Sequence, residues 1–187
     1  MLDNFNVLLG SQSPRRKELL EKMGVNFRLT YHPTEEIYPS KIDSFQVAEF
    51  LANLKSEEIK LSEKELLITP DTTVILNDTI LNKPKDKDEA YKMLSILSDK
   101  NHNVVTGVCI RSIKKCISFS ENTTVKFKPL NDEEINHYLN LGTFYDKAGS
   151  YGIQEWIGII GIEHIDGCYY NVMGLPTTKL MEHLKSF

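Results

Sequence analysis

Residues 9–20 are LGSQSPRRKELL, and this stretch joins the end of an apolar run to the start of a helix. The apolar run, Phe5–Leu9, predicts a buried strand. Ser13 is a good N-cap residue, and Pro14 suits the first helical position because its missing N–H would have no partner there. The stretch therefore predicts a strand, a short polar loop and a helix that begins at Ser13 or Pro14.

The same loop is a candidate phosphate site. A helix N-terminus presents free backbone N–H groups and a partial positive charge, which favour an anion. The hydroxyls of Ser11 and Ser13 and the guanidinium groups of Arg15 and Arg16 gather at that end. Because arginine can grip a phosphate with two parallel hydrogen bonds, the group favours phosphate binding. The alternative is a surface helix with a good cap and solvated arginines.

Composition narrows the class of protein. The chain has 187 residues, of which 41% are hydrophobic and 26% are charged, as expected for one globular domain with a real core. The formal net charge of −4 argues against a general nucleic-acid binder. No apolar stretch approaches the ~20 residues that a membrane span needs, and the N-terminus does not resemble a signal peptide.

Cysteine usage indicates the compartment. Cys109, Cys116 and Cys168 are odd in number and lack metal-ligand spacing, which favours reduced thiols over a disulfide framework. Because the sequence also lacks an apolar stretch long enough to span a membrane, we expect a cytoplasmic protein.

The rest of the chain alternates strand and helix patterns. Helix starts are predicted at Asp86 and Asn131, each followed three residues later by a glutamate. Residues 103–112 and 116–127 predict two long antiparallel strands. Two strand pieces, 66–69 and 73–76, are predicted to flank a kink at Pro70, and 159–165 is predicted to be a further strand. These patterns predict a mixed α/β sheet flanked by helices, with 1–187 as a single domain.

Asp71 is the first candidate for chemistry. It lies at the end of an apolar strand, where ligand crevices of α/β sheets are found. A carboxylate there would hold Mg²⁺ near a phosphate or accept a proton from water, whereas the alternative is an ordinary Asx-turn. The acidic pair Glu35-Glu36 could supply a second oxygen ligand or be an exposed acidic loop. Lys55 and Lys83 are candidate site residues only if the fold brings them close to Asp71.

Residues 149–154, GSYGIQ, are a candidate for base recognition. The amide of Gln154 can donate and accept hydrogen bonds at once, which suits the edge of a base. A structural turn is the alternative. The five histidines show no paired metal spacing, and the Walker P-loop, the Gly-x-Gly-x-x-Gly fingerprint and the nucleophile elbow are all absent from the sequence.

Taken together, these stretches resemble the Maf family of nucleoside triphosphate pyrophosphatases over nearly the whole chain. Pro70 is a departure, because the family usually has alanine before its Asp-Thr pair. The matching stretches are SQSPRRKELL (11–20), Asp71-Thr72, Lys83-Pro84, His102-x-Val104-x-Thr106-Gly107-Val108, DKAGSYGIQ (146–154) and NVMGLP (171–176).

The resemblance implies a fold, an assembly and a reaction. The fold is an elongated, twisted mixed sheet flanked by helices, with two lobes around a central cleft, and the assembly is a homodimer. The reaction is hydrolysis of a nucleoside triphosphate to the monophosphate and pyrophosphate with Mg²⁺ or Mn²⁺. The divalent metal ion would lower the pKa of the attacking water, and the protein would act chiefly through positioning and electrostatics.

The resemblance also implies residue roles. Asp71 matches the catalytic acid, drawn either as proton acceptor or as metal ligand. Lys55 and Lys83 match lysines near the phosphates, and Glu36, by spacing, matches a metal-side carboxylate. The remaining matches are substrate-binding positions, namely Ser11, Ser13, Arg15, Thr72 and Gln154.

Two alternative functions stay open. One is a non-catalytic nucleotide-binding regulator of cell division, and the other is a pyrophosphatase for modified purine nucleotides such as 7-methyl-GTP. The loop that ends in Gln154 resembles the family branch that acts on dTTP and UTP, whereas the 7-methyl-GTP branch carries an acidic pattern there. A neutral amide both donates to a uracil oxygen and accepts from N3–H, so we expect dTTP and UTP as substrates.

Overall fold

The computed structural model describes residues 4–187, which form a mixed α/β fold with one seven-stranded sheet. The strand order is β2-β1-β3-β5-β6-β7, and β4 pairs with β3. The strands are β1 (Asn6–Gly10), β2 (Phe27–Thr30), β3 (Glu65–Leu76), β4 (Thr79–Leu81), β5 (Asn101–Arg111), β6 (Cys116–Phe127) and β7 (Ile162–Asp166). The helices are α1 (Pro14–Lys22), α2 (Val47–Glu57), α3 (Lys87–Leu97), α4 (Asp132–Asn140), α5 (Trp156–Gly161), α6 (Tyr169–Met173) and α7 (Thr177–Leu184), with short 3₁₀ turns at Ser44–Gln46 and Ala148–Ser150.

The chain divides into two compact units. Within the described residues, unit 1 takes in the chain up to Thr72, then Thr106–Glu121 and Gly174–Phe187. Unit 2 consists of Thr73–Val105 and Asn122–Met173. The predicted mixed α/β class is confirmed. None of the helices within residues 4–187 combines the length and the apolar character that crossing a membrane requires.

Three strands of unit 1 pair in parallel. β1 pairs in parallel with β2 on one side and with β3 on the other, so β1 lies inside the sheet and carries the fully buried Leu9. A strand buried on both faces reads as a continuous apolar run, which is why residues 5–9 predicted it correctly. The loop after β1 leads directly into α1.

A close approach of backbones fixes α2 in unit 1. A Cβ atom placed on Gly107 of β5 would lie 2.2 Å from the backbone nitrogen of Glu49 and 2.4 Å from the carbonyl carbon of Ala48. Only glycine allows this contact between strand and helix. Because Lys55 lies on the same helix, Gly107 contributes to placing that lysine.

β3 is one continuous strand of 12 residues, so the predicted kink at Pro70 is wrong. Proline is tolerated because it lies where the pairing partners change. The parallel pairing with β1 ends at Ile68, and the antiparallel pairing with β4 begins at Val74. Pro70 therefore costs no hydrogen bond to either of these neighbours.

Unit 2 has its own apolar core, and its helices start where the sequence predicts. Asp86 accepts a hydrogen bond from the backbone of Glu89 at 2.8 Å, and Asn131 and Glu134 form a reciprocal capping box. The core consists of Val74, Leu76, Leu81, Ala90, Met93, Leu94, Leu97, Val104, Val125, Phe127, Ile135, Tyr138, Leu139, Phe144, Tyr151 and Ile157.

The strand predicted over 159–165 is wrong in its first half. Residues 156–161 form α5, and β7 begins only at Ile162. The buried positions of α5, which are Ile157, Gly158 and Gly161, have helical spacing, while Ile159 is exposed. Glycines in this segment serve close packing, since a Cβ atom on Gly158 would lie 2.2 Å from the carbonyl oxygen of Ile153.

Candidate functional site

Three elements of unit 1 bring acidic and basic side chains together. Asp71 and Thr72 lie in the middle of β3, Lys55 lies in the last turns of α2, and Glu36 lies in the loop between β2 and α2. Val47 and Ala48 at the start of α2 are buried, and Ala48 lies close to Gly107 of β5. Residues 16 positions apart in sequence, Lys55 and Asp71, are thus in contact.

Lys55 is the centre of this cluster. Its ammonium group donates a short hydrogen bond to Asp71 Oδ1 and a second one to Glu36 Oε1 at 2.6 Å. The Lys55 side chain is one-fifth exposed, and Asp71 is more buried than Glu36. The two carboxylates that the sequence singled out therefore converge on the same point, and the lysine that the resemblance placed near the phosphates lies between them.

Burial makes the Asp71 carboxylate unusually basic. Desolvation raises its pKa from the ordinary value of 3.8, although the positive charges of Lys55 and Arg16 act in the opposite direction. The negative charge of Glu36 adds to the rise. A carboxylate in this environment accepts a proton more readily than one on the surface.

Arg16 holds the neighbouring loops together, a role that the sequence reasoning missed. Its guanidinium group donates to Ser11 Oγ at 3.1 Å, to Thr72 Oγ1 at 3.0 Å and to the carbonyl oxygen of Gly174 at 2.9 Å. Thr72 Oγ1 also lies 2.9 Å from Thr106 Oγ1. Burial lowers the pKa of Arg16 to about 10, while the carboxylate of Asp71 offsets part of this effect.

Ser11, Ser13 and Arg15 lie at the N-terminal end of α1. Ser13 occupies the N-cap position, as predicted, but its side chain makes no capping hydrogen bond, which corrects the expectation of a capping hydroxyl. Its backbone N–H donates instead to Ser11 Oγ at 3.3 Å. Arg15 is half-buried on the same turn. Ser13 thus does not cap the helix with its side chain, and the partial positive charge of the helix N-terminus suits an anion.

Two of the predicted site residues belong to unit 2. Lys83 is exposed just beyond β4, and Gln154 is half-buried in the turn before α5. The amide oxygen of Gln154 is buried and accepts no hydrogen bond from the residues that the structure describes. A buried carbonyl oxygen without a donor is unfavourable, so a ligand with an N–H group would satisfy it.

The loop before Gln154 is tightly held within unit 2. Gly149 and Ser150 both adopt left-handed backbone conformations, each with φ of 66°. Ser150 Oγ donates to Met93 Sδ at 3.0 Å, and Gly149 N–H donates to the carbonyl oxygen of Asn82. A serine in this region is strained, and its burial against α3 holds it there.

A preformed metal cage is absent from the part of the chain described here. Residues 4–187 contain no group of three or more His, Cys, Asp and Glu side chains arranged to hold a metal ion. The pair formed by Asp71 and Glu36 offers two carboxylates directed at one point. That donor set is typical of Mg²⁺, which is bound by one or two carboxylates and completes its shell with water and substrate phosphates.

A protein family and several known proteins match the chain over nearly its whole length. The family model described as "Maf-like protein" matches residues 6–187. A protein of Parabacteroides distasonis named dTTP/UTP pyrophosphatase is 47% identical, with both chains covered completely. Proteins of the same name from Porphyromonas gingivalis and Flavobacterium psychrophilum are 48% and 44% identical, covering 100% and 97% of this chain and 98% and 94% of their own.

Solved structures agree on the fold. A HAM1 protein from Coxiella burnetii is 11% identical and has a TM-score of 0.53, with 98% of this chain and 100% of that chain covered. At this identity the likeness concerns the fold alone. The family predicted from the sequence motifs is confirmed by the match over residues 6–187 and by the full-length relatives. The chain belongs to the Maf family.

Proposed function

We propose that this chain is a nucleoside triphosphate pyrophosphatase that hydrolyses dTTP and UTP to the monophosphate and pyrophosphate. The names of full-length relatives at 44–48% identity support both the reaction and the two substrates. The observation that carries the proposal is the cluster in unit 1, where Lys55 lies between the carboxylates of Asp71 and Glu36. A cation between two carboxylates suits a site for polyphosphate chemistry.

Asp71 is proposed to orient the attacking water and to accept its proton. Burial raises the pKa of this carboxyl, which makes it a better base at neutral pH than an exposed aspartate. The hydrogen bond from Lys55 fixes the orientation of one carboxylate oxygen. The water oxygen then forms a bond to the α-phosphorus, and the bond between that phosphorus and the bridging oxygen breaks to release pyrophosphate.

The positive groups of unit 1 are proposed to bind the phosphates. Arg15 supplies a guanidinium fork, and the N-terminus of α1 carries a partial positive charge. Ser11 and Thr72 are held by Arg16, so their hydroxyls are fixed at the start of the loop and in β3. Ser13 stays a predicted contact, and Lys83 in unit 2 stays a predicted phosphate ligand by family resemblance.

The donor set of unit 1 fits a divalent metal ion. Asp71 and Glu36 would hold Mg²⁺ or Mn²⁺, since their carboxylates converge on one point. When bound, the ion would neutralise phosphate charge and lower the pKa of a coordinated water. Lys55 donates to both carboxylates and offsets part of their negative charge, which keeps the two acids close to each other.

Gln154 is proposed to recognise the base. Its buried amide oxygen lacks a hydrogen-bond donor among the described residues, and N3–H of uracil or thymine is such a donor. The amide N–H₂ group can donate to a carbonyl oxygen of the same base. The neutral amide thereby favours the two pyrimidines that carry both N3–H and adjacent carbonyl groups.

A panel of triphosphates with pyrophosphate detection tests the proposal. With Mg²⁺ present, the fastest release of pyrophosphate is expected from dTTP and UTP, with slower release from dCTP, GTP and 7-methyl-GTP. A sample of Asp71→Asn purified in the same way controls for contaminating phosphatases. Release of pyrophosphate from none of the nucleotides would favour the regulator of cell division, and faster hydrolysis of 7-methyl-GTP would favour the modified-purine alternative. The names of the relatives support neither.

The proposed function also includes an assembly state, a compartment and the absence of two kinds of partner. We propose a homodimer, a cytoplasmic setting, and no nucleic-acid or membrane partner. The net charge of −4 supports the absence of a nucleic-acid partner, and the free thiols of Cys109, Cys116 and Cys168 are compatible with a reducing compartment. A single functional domain over residues 1–187 stays a prediction, which the family match over 6–187 supports.

A further inference from the structure

Unit 2 contains a buried ion pair that closes the loop ending in Gln154. Lys147 lies at the start of this loop with its side chain 6% exposed, and its ammonium lies 2.9 Å from Glu155 Oε1. Lys147 also donates to the carboxylate of Asp146 at 2.6 Å and to the carbonyl oxygen of Thr143. Glu155 directly follows Gln154 in sequence, so the ion pair joins the two ends of residues 147–155.

Glu155 is anchored on its other oxygen as well. Glu155 Oε2 accepts a short hydrogen bond from the phenol of Tyr138 on α4 and another from Thr143 Oγ1 at 3.1 Å. Tyr138 is fully buried in the core, and desolvation together with Glu155 raises the pKa of its phenol. The Glu155 carboxylate thus accepts hydrogen bonds from three donors, which are Lys147, Tyr138 and Thr143, and these bonds fix its orientation.

The backbone at Gly152 lies in close contact with the Glu155 carboxylate. A Cβ atom on Gly152 would lie 2.9 Å from Glu155 Cδ and 3.1 Å from Lys147 Cε. The N–H of Glu155 donates to the carbonyl oxygen of Gly152 at 3.0 Å. The ion pair therefore lies directly against the turn of residues 152–155, and Gln154 is one peptide unit from the anchored residue.

We infer that Glu155, held by Lys147 and Tyr138, is a positioning residue that fixes the amide of Gln154 for base recognition. This inference rests on the proposed role of Gln154. A long, flexible glutamine side chain loses discrimination when its backbone moves, because two hydrogen bonds to one base edge require a fixed origin. The anchored carboxylate supplies that origin, whereas the exposed Asp99 of unit 2 pairs with Lys126 instead.

A double-mutant cycle between Glu155 and Gln154 tests the inference. The measured quantity is the ratio of kcat/KM for dTTP to kcat/KM for GTP. Glu155→Gln is expected to lower this ratio about tenfold, mainly by raising KM for dTTP, and Gln154→Ala is expected to lower it at least as much. In the Gln154→Ala background, Glu155→Gln should lower the ratio no further, because its effect acts through the missing amide.

Controls separate positioning from general loss of structure. Asp99→Asn removes a carboxylate from another ion pair of unit 2, Lys126–Asp99 at 2.6 Å, and should leave the ratio unchanged. If Glu155→Gln does not fold, as judged by thermal melting, Tyr138→Phe removes one anchor of the carboxylate and keeps the buried ring. It should lower the ratio in the same direction, again only when Gln154 is present.

The outcomes distinguish this inference from the proposed function. An unchanged ratio in Gln154→Ala would overturn the base-reading role of Gln154 and the positioning role with it. A lowered ratio in Gln154→Ala, with an unchanged ratio in folded Glu155→Gln and Tyr138→Phe, would overturn the positioning role alone. Equal losses from Glu155→Gln in both backgrounds would also overturn it, since the effect would then bypass Gln154.

Discussion

At the scale of single residues, Asp71 combines burial with two positive neighbours. Desolvation raises its pKa, and Lys55 and Arg16 moderate the rise. The same burial that makes the charged carboxylate unfavourable for the fold makes it a more effective proton acceptor. A residue whose environment costs stability and favours chemistry is typical of a functional position.

Asp71→Asn is expected to lower kcat by about 100-fold or more while the fold persists, because the amide keeps the size of the side chain and removes the base. In the wild type, kcat/KM should fall with decreasing pH through a pKa above the ordinary 3.8, since only the ionised carboxylate accepts a proton. Steady-state kinetics between pH 4 and 9 measure both effects. Near-normal turnover in folded Asp71→Asn would contradict the assignment.

The two neighbouring arginines are expected to respond differently to lysine. Arg15→Lys keeps the charge and loses the planar fork. The transition-state stabilisation calculated from kcat/KM for dTTP should therefore fall by about 1–3 kcal/mol. Arg16→Lys leaves acceptors without donors among Ser11, Thr72 and Gly174, so it should lower the free energy of unfolding by a similar amount. Kinetics and denaturant unfolding on both variants measure these losses, and equal kinetic losses without any change in stability would show that Arg16 contacts the substrate.

At the scale of elements, the contact between β5 and α2 decides where Lys55 lies. Gly107→Ala would push a Cβ atom into the backbone of Glu49 and Ala48, which cannot give way as a flexible side chain could. We expect a loss of about 1–3 kcal/mol or more in the free energy of unfolding, together with reduced turnover, because α2 carries Lys55.

A second glycine provides the control for this variant. A Cβ atom on Gly142 meets nothing within 4 Å, so Gly142→Ala introduces only the cost of its φ of 71°. Its loss in thermal and denaturant unfolding should be smaller than that of Gly107→Ala, and its turnover should stay normal. Equal stability of the two variants would argue against a steric contact.

The buried His102 of β5, which contacts Tyr151, makes the stability of the protein depend on pH. His102 is buried, its Nε2 lies 2.7 Å from the Tyr151 hydroxyl, and desolvation lowers its pKa from 6.5 to about 4. In the unfolded chain the His102 imidazole is protonated below pH 6.5, whereas in the folded protein it is protonated only below about pH 4. The contribution of this histidine is therefore fully present above pH 6.5 and is lost as the pH falls toward 4.

Wild-type protein is expected to lose about 3 kcal/mol of unfolding free energy from this residue between pH 6.5 and pH 4. His102→Gln, which can still bond the phenol, should reduce that slope. The exposed His164→Gln serves as the control and should keep it. Urea unfolding at a series of pH values measures the slopes, and parallel curves for wild type and His102→Gln would rule out this source of acid sensitivity.

At the scale of the whole molecule, the family resemblance implies an assembly of two chains. Light scattering on the purified protein is expected to give about twice the chain mass of 21.4 kDa. The measured mass should not change in Asp71→Asn, because the Asp71 side chain is buried. A mass of one chain across the micromolar range would contradict the homodimer.

Much of the fold was predictable because its signals are local. The capping residues Asp86 and Asn131 act on backbone groups three residues away, and the apolar run before Gly10 marks a buried strand by itself. The segment 159–165 was misassigned because isoleucine runs suit both a strand and a buried helix. Only packing around Gly158 and Gly161 selected the helix.

The sequence by itself determined the family, the mixed α/β class and the chemical types at the site, since these follow from motifs and from spacing along the chain. Tertiary structure alone decided which groups meet: Lys55 with Asp71 and Glu36, and Glu155 with Lys147 and Tyr138. It also turned Arg16 toward three oxygen acceptors far apart in sequence. The physical reason is that contact, burial and the resulting pKa shifts depend on distances between segments, which local sequence patterns do not encode.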